Sequence, residues 1–156
     1  VGGFASAEIR MNGMRVGFEL RDIYTGERGV LAHINQREGP SLGKYRVNLS
    51  SLSKIGSLSI IMALENADII AVDEVGPMEL FSNAFRIALK RAVDSKKPVL
   101  CTIHAKVRGP IIDYIRSRKD ATLFEVTLNN RETLHEQIIA FLHEILKSKT
   151  TTKPGV

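Results

Sequence analysis

Tryptophan is absent from the 156 residues, cysteine occurs once, and aromatic residues make up only 6% of the chain. A single thiol, Cys101, can close no internal disulfide, which excludes a small disulfide-stapled scaffold and points to a reducing compartment. No signal-peptide pattern opens the chain at Val1, so a cytoplasmic location is expected. Long hydrophobic runs are lacking too. The longest strongly apolar stretch, Leu58 to Leu64, is broken by Ser59 and falls far short of the ~20 residues of a membrane helix, so no membrane partner is expected. The scarcity of aromatic side chains leaves no stacking platform for single-stranded nucleic acid. Charge of one sign does not dominate: 22 basic against 17 acidic residues give a net charge of +5. That scattered surplus gives nucleic acid little support and suits an anionic partner such as a nucleotide. What remains is ordinary globular composition, 44% hydrophobic and 25% charged, at a length that fits one domain with its own core.

Two periodicities divide the chain. From Gly3 to Leu49 short strands alternate with turn chemistry: Gly3 to Arg10, a tight Asn12-Gly13 turn, Met14 to Tyr24, a turn at Thr25-Gly26-Glu27, Gly29 to Ile34, and Tyr45 to Leu49. This third of the chain reads as an antiparallel β-meander. After Ser50, helices and strands alternate. Ser51 to Glu65 reads as a helix with imperfectly spaced apolar positions, Ile69 to Val72 as a strand covered on both faces, and Glu79 to Val93 as a helix. The stripe of that second helix is Phe81, Ala84, Phe85, Ala88, Leu89 and Ala92. Pro98 to Ile103 reads as a further buried strand, in which Cys101 is a small core residue. A helix starting at Pro110, a strand from Thr122 to Thr127, and a helix from about Asn130 follow. The last helix carries Leu134, Ile138, Phe141, Leu142 and Ile145 on one face and ends in a Lys/Thr-rich tail expected to fray. Alternation of this kind predicts an α/β fold, a parallel sheet flanked by helices with right-handed crossovers.

Ligands of parallel sheets bind at the carboxyl ends of the strands. There the apolar run Ile69-Ile70-Ala71-Val72 leads into Asp73-Glu74 and a Gly76-Pro77 turn, the form of a Walker B element. In that chemistry the first carboxylate, Asp73, holds Mg²⁺ beside the phosphates. The second, Glu74, reaches the other way and acts as base on the attacking water. The alternative is an ordinary polar strand end. At the tip of the next strand, Thr102 or His104 is placed to sense a γ-phosphate, or simply enters a loop. The partner motif, GxxxxGKS or GxxxxGKT, is missing. Its nearest approach, Gly39-Pro40-Ser41-Leu42-Gly43-Lys44-Tyr45, has its glycines one residue too close and precedes a strand. It reads as a mobile loop that closes over a ligand, or as a solvated turn. His33, His135 and His143 lack partners at ligand spacing, so no zinc site is expected.

Several further motifs fall in a fixed order. They are Val1-Gly2-Gly3-Phe4, Gly17-Phe18, Thr25-Gly26, the run Gly43 to Val47, the run Asp73 to Ser82, and Val126-Thr127 followed by Asn129-Asn130-Arg131. Together they resemble a family of small P-loop nucleoside-triphosphatases of thermophilic microbes that includes the human cancer-related nucleoside-triphosphatase. The resemblance implies a RecA-like or kinase-like P-loop fold and Mg²⁺-dependent hydrolysis of nucleoside triphosphates, ATP, GTP or others, with little base selectivity. It also implies a strand, P-loop and helix ahead of Val1, on the order of 30 residues, which the activity would require. Residue by residue, it puts Mg²⁺ on Asp73 and the base on Glu74. Glu79 either supports the metal site or supplies favourable charge at a helix N-terminus. Asn130 and Arg131 either approach the nucleotide or belong to a cap built on Asn129 and Glu132. Lys44 and Arg46 either reach phosphates or remain solvated. Two other functions stay open: a nucleotide or nucleic-acid binding module without catalysis, and a phosphotransferase with another acceptor.

Overall fold

A computed structural model of the chain describes residues 1–150 and divides it into two compact units, Val1–Ser117 and the part from Arg118 onward. The first unit is built on one seven-stranded sheet: β1 (Gly2–Met11), β2 (Met14–Asp22), β3 (Arg28–His33), β4 (Ser41–Leu42), β5 (Tyr45–Val47), β6 (Ile70–Val75) and β7 (Val99–Ile103), in the spatial order β4-β5-β3-β2-β1-β6-β7. The meander and the parallel strands therefore share a single sheet, with β1 as the junction. β1 pairs antiparallel with β2 and parallel with β6, and β6 pairs parallel with β7. The Asn12-Gly13 turn adopts positive φ at both residues (50° and 76°), the geometry that matches the twist of a two-residue hairpin. At the junction Gly3 is held at φ 112°, and a Cβ there would lie 1.9 Å from the Ala71 carbonyl oxygen. Only glycine lets β1 approach β6 so closely.

The first helical segment explains its own irregular pattern. It runs as α1 (Leu49–Ser51), a π-helical stretch (Leu52–Ser57) and α2 (Leu58–Asn66). The wider π turn shifts the phase of the side chains, so Leu52, Ile55, Ile60 and Ala63 all reach the core although they miss a strict 3.6-residue repeat. Ala63 packs over Gly2, and Phe85 of α3 (Asn83–Asp94) meets Phe4 edge-on at 5.8 Å. Gly2 and Phe4 point to the same side of β1, so α2 and α3 cover one face of the sheet. α4 (Pro110–Ser117) begins at its proline, as expected.

In the first unit four expectations are corrected. The second helix begins at Asn83, not Glu79: Ser82 caps it by accepting the Phe85 N–H, and residues Glu79–Phe81 form a separate 3₁₀ turn. Phe81 and Ala84 consequently leave the buried stripe that Phe85, Ala88, Leu89 and Ala92 make. β7 is not buried on both faces, because Leu100 and Thr102 stand on an open side. Of the two readings of the Gly39–Tyr45 stretch the turn is the one met: Gly43-Lys44 is the exposed turn of a β4–β5 hairpin in which Ser41 and Leu42 pair with Arg46 and Tyr45, so the stretch is not a free loop.

In the second unit residues 122–127 form no strand, despite three apolar side chains in that run. The last helix, α5 (Leu134–Thr150), starts four residues later than expected, because Asn130 turns the chain with its own side chain. Its Oδ1 accepts the Thr127 N–H at 2.7 Å and its Nδ2 donates to the Glu125 carbonyl at 2.9 Å. Within α5 the expected face, Leu134, Ile138, Phe141, Leu142 and Ile145, is the less exposed one. The tail beyond residue 150 lies outside the described residues.

Candidate active site

The carboxyl end of β6 is where the regular strand breaks. Val72 lies opposite Cys101 and Val75 opposite Ile103, so three steps along β6 match two along β7. The surplus residue falls at Asp73-Glu74. The acid pair thus sits inside the strand as a β-bulge rather than beyond its end. A regular strand would send the two side chains to opposite faces, as the sequence suggested. The bulge re-aims them, and both line one cavity of about 470 Å³.

Asp73 is exposed and fixed from the side: Thr102 Oγ1 on β7 donates to Asp73 Oδ1 at 2.5 Å. Among the described residues its second oxygen has no hydrogen-bond partner. Glu74 is half-buried over the turn that follows. A Cβ on Gly76 would fall 2.5 Å from Glu74 Oε1 and 2.8 Å from Glu79 Oε2. Both carboxylates therefore close over the bare glycine, and a side chain there would have to push them aside. Glu79 itself is 2% exposed, with Oε2 accepting the Gly76 N–H at 3.0 Å. Burial, and then the neighbouring charges of Glu74 and Asp73, push its carboxyl up to about 7 against the partial relief of backbone hydrogen bonds. Glu79 thereby sits beneath the turn, lining the same cavity as Asp73 and Glu74.

His104 joins the cavity wall just past β7, its Nδ1 accepting the Lys106 N–H at 3.2 Å. Asp73, Glu74, Glu79, Thr102 and His104 are thus brought together. Lys44 and Arg46 are not: the Lys44 ammonium sits 5.4 Å over the Tyr45 ring, and Arg46 donates to the Gly39 carbonyl. Both are exposed on the edge hairpin. Asn130 and Arg131 belong to the second unit, where Asn130 makes the turn described above and Arg131 pairs with Glu132 at 3.0 Å. Cys101 lies within β7, and desolvation pushes its thiol up to about 11, which keeps it protonated and unreactive. Among the described residues no three His, Cys, Asp or Glu side chains cluster to hold a metal ion, and no helix is long and apolar enough to cross a membrane.

The opposite wall of the cavity was not read from the sequence. Ser6 and Glu8 of β1 and Arg15 and Phe18 of β2 line it. The signal was present in the alternation of β1, which puts polar Ser6 and Glu8 on the same side as core Phe4.

The NTPase family model matches residues 1–139 of the chain. Nucleoside-triphosphatase THEP1 of Thermofilum pendens is 42% identical over 144 residues, which cover 88% of this chain and 76% of that protein. The protein of the same name from Methanopyrus kandleri is 40% identical over 150 residues, covering 96% and 82%. Among solved structures, that of THEP1 from the hyperthermophile Aquifex aeolicus superposes with a TM-score of 0.81 at 28% identity, over 90% of this chain and 83% of that one.

Proposed function

The chain belongs to the NTPase family, and on that premise we propose that it is a nucleoside-triphosphatase, hydrolysing nucleoside triphosphates to diphosphates and phosphate. The observation that carries the site assignment is the bulge that turns Asp73 and Glu74 into one cavity at the carboxyl end of a parallel strand.

Water attacks the γ-phosphorus in line with the departing diphosphate. Glu74 accepts its proton, and the Gly76 turn, tied down by Glu79, holds that carboxylate in place. A divalent cation suits the donor set, and Mg²⁺ suits it best. An exposed carboxylate with one oxygen uncommitted is a hard oxygen ligand, and Mg²⁺ commonly binds through one or two carboxylates while keeping waters and substrate phosphates for the rest of its shell. Asp73 would hold it, oriented by Thr102. Bound there, the cation supplies neutralisation of charge on the phosphate oxygens. His104 borders the same space as a candidate contact for the γ-phosphate. Cradling of the triphosphate falls to a glycine-rich loop of the GxxxxGKS or GxxxxGKT form, which residues 1–156 do not contain. ATP, GTP or other nucleoside triphosphates would be the substrates.

The test is hydrolysis by the full-length protein and its Glu74→Gln variant. Loss of a general base lowers kcat by about 10²–10⁴-fold with nucleotide binding retained. Equal rates would remove Glu74 from the mechanism, and absence of hydrolysis in the unaltered protein would favour a binding module.

A further inference from the structure

The wall facing the acid pair carries a second irregularity. Ile9 on β1 lies opposite Gly17 and Arg10 lies opposite Arg15, so one step along β1 matches two along β2, and Val16 is the surplus residue. In a regular strand Arg15 and Phe18, three positions apart, would point to opposite faces of the sheet. The bulge brings them to the same side: the Arg15 Cζ lies 5.1 Å from the centre of the Phe18 ring, and both side chains line the cavity. β1 makes this possible by outrunning β6. Their pairing stops at Ala5 and Asp73, while β1 continues along β2 to Met11. A bulge on each side thus aims side chains into one space, the acids from β6 and the guanidinium from β2.

Arg15 is fixed there from several directions. Its Nε donates to the Tyr45 hydroxyl at 3.2 Å, its Nη1 donates to Glu8 Oε1 at 2.7 Å, and the Phe18 ring lies against its flat face. Tyr45 is buried and held in turn, its hydroxyl donating to the Arg15 carbonyl at 3.3 Å and its ring meeting Phe18 edge-on at 5.3 Å. The other oxygen of Glu8 is taken by Arg10. Among the described residues the third guanidinium nitrogen of Arg15, Nη2, has no hydrogen-bond partner. The Arg15–Glu8 pair is solvent-exposed, so it adds little to folding stability. What the anchors do is present Nη2 in one direction ahead of any ligand.

Charge gives that nitrogen a use. The carboxyl groups of Glu8, Asp73, Glu74 and Glu79 line the cavity, and Arg15 is the one lysine or arginine among its lining residues. A triphosphate brings several more negative charges, of which a divalent cation at Asp73 offsets only part. A guanidinium donates to phosphate oxygens with charge-assisted hydrogen bonds. We propose that Arg15 is a further catalytic residue of this site: its Nη2 donates to an oxygen of the γ-phosphoryl group during hydrolysis, and Glu8, Tyr45 and Phe18 position it. The assignment rests on the hydrolytic reading above. The oxygen of water bonds to the γ-phosphorus, the bond from that phosphorus to the β–γ bridging oxygen breaks, and Glu74 takes the proton. Arg15 meets the charge spread over the equatorial oxygens as this happens, so its contact speeds the step more than it tightens substrate binding.

In the full-length protein Arg15→Ala should lower kcat about 10²–10³-fold with KM and diphosphate affinity little changed. Arg28→Ala, which removes the same charge from a residue paired with Glu19 and absent from the cavity wall, should keep the parent rate. Guanidinium chloride at millimolar concentration should restore part of the activity of Arg15→Ala and none of that lost in Glu74→Gln, with sodium chloride at equal ionic strength as the blank. A free guanidinium ion replaces a missing functional group and repairs no structural defect. Tyr45→Phe, which removes one anchor, should lower kcat by about 10- to 100-fold without such rescue. Urea midpoints establish that the variants are folded. The contact is also read apart from turnover: the ¹⁵N resonance of Arg15 Nε should shift when Mg²⁺, a nucleoside diphosphate and fluoroaluminate, a mimic of the γ-phosphoryl group in flight, are added together, and hold its place with Mg²⁺ and diphosphate alone. An unchanged kcat in Arg15→Ala, a loss carried by KM and diphosphate affinity instead, failure of guanidinium to rescue, or an Nε signal indifferent to fluoroaluminate would overturn the assignment. Hydrolysis by the unaltered protein reports on the hydrolytic reading separately.

Discussion

Replacing Glu79 with Gln separates the charge of this buried carboxyl from its hydrogen bond. The amide oxygen of Gln still accepts the Gly76 N–H that Glu79 Oε2 accepts at 3.0 Å, so the turn is retained while the ionisable proton is lost. In the folded protein, burial raises this carboxyl from 4.5 to about 7, and the nearby Glu74 and Asp73 add to the effect. Between those two values the folded state keeps a proton that the unfolded chain has released. The folded state thus binds more protons, and stability falls as pH rises through the window. The contribution is complete below the unfolded value and gone above about pH 7. At about 1.4 kcal/mol per pH unit the full span is worth about 3 kcal/mol. Urea unfolding at pH values from 4.5 to 8, run in parallel on the two proteins without nucleotide or metal, cancels the titration of groups that do not interact with Glu79. The stability of Glu79→Gln minus that of the parent should climb by about 3 kcal/mol, which moves the relative urea midpoint by roughly 1 M or more. A difference that stays flat, or one that declines with pH, would refute the burial argument.

Other perturbations probe different links. Gly76→Ala places a methyl group against the carboxylates of Glu74 and Glu79; it should cost about 1–3 kcal/mol in urea unfolding and lower kcat more than it raises KM, because it displaces Glu74. Thr102→Val removes the donor to Asp73, and the divalent cation concentration for half-maximal hydrolysis should rise roughly 10- to 100-fold with the thermal midpoint little changed. Phe4→Ala empties a fully buried site against Phe85, and chemical denaturation should register a loss of about 3–5 kcal/mol.

The sequence carried much of the fold because its local signals agree with one another. Asn12-Gly13 admits one kind of hairpin, Pro110 marks a helix start, and the stripe Phe85, Ala88, Leu89, Ala92 repeats at helical spacing. The π-helical stretch was visible only as a disturbance of that spacing between Leu52 and Ile60, since an extra residue in a turn leaves no composition of its own. Thr122 to Thr127 looks like a strand because Thr, Phe and Val favour strands in isolation, yet a strand also needs a partner edge, which a local window does not contain. The acid pair was legible as a motif, whereas its bulge depends on register against β7. For the same reason Ser6, Glu8, Arg15 and Phe18 went unread: what makes them neighbours of Glu74 is the length of β1 relative to β6, a property of pairing. The displacement of the helix start from Glu79 to Asn83 follows from the Ser82 cap, which was within reach of the sequence.

The claim on which the rest depends is that the bulged carboxylates at the tip of β6 form the metal and phosphate site. Mn²⁺ with a non-hydrolysable triphosphate, added to the isotope-labelled full-length protein, reports this directly through paramagnetic broadening of amide resonances. Broadening should centre on Asp73, Glu74 and Thr102 and vanish at the same Mn²⁺ concentration in Asp73→Asn. Broadening centred elsewhere, or unchanged in that variant, would contradict it.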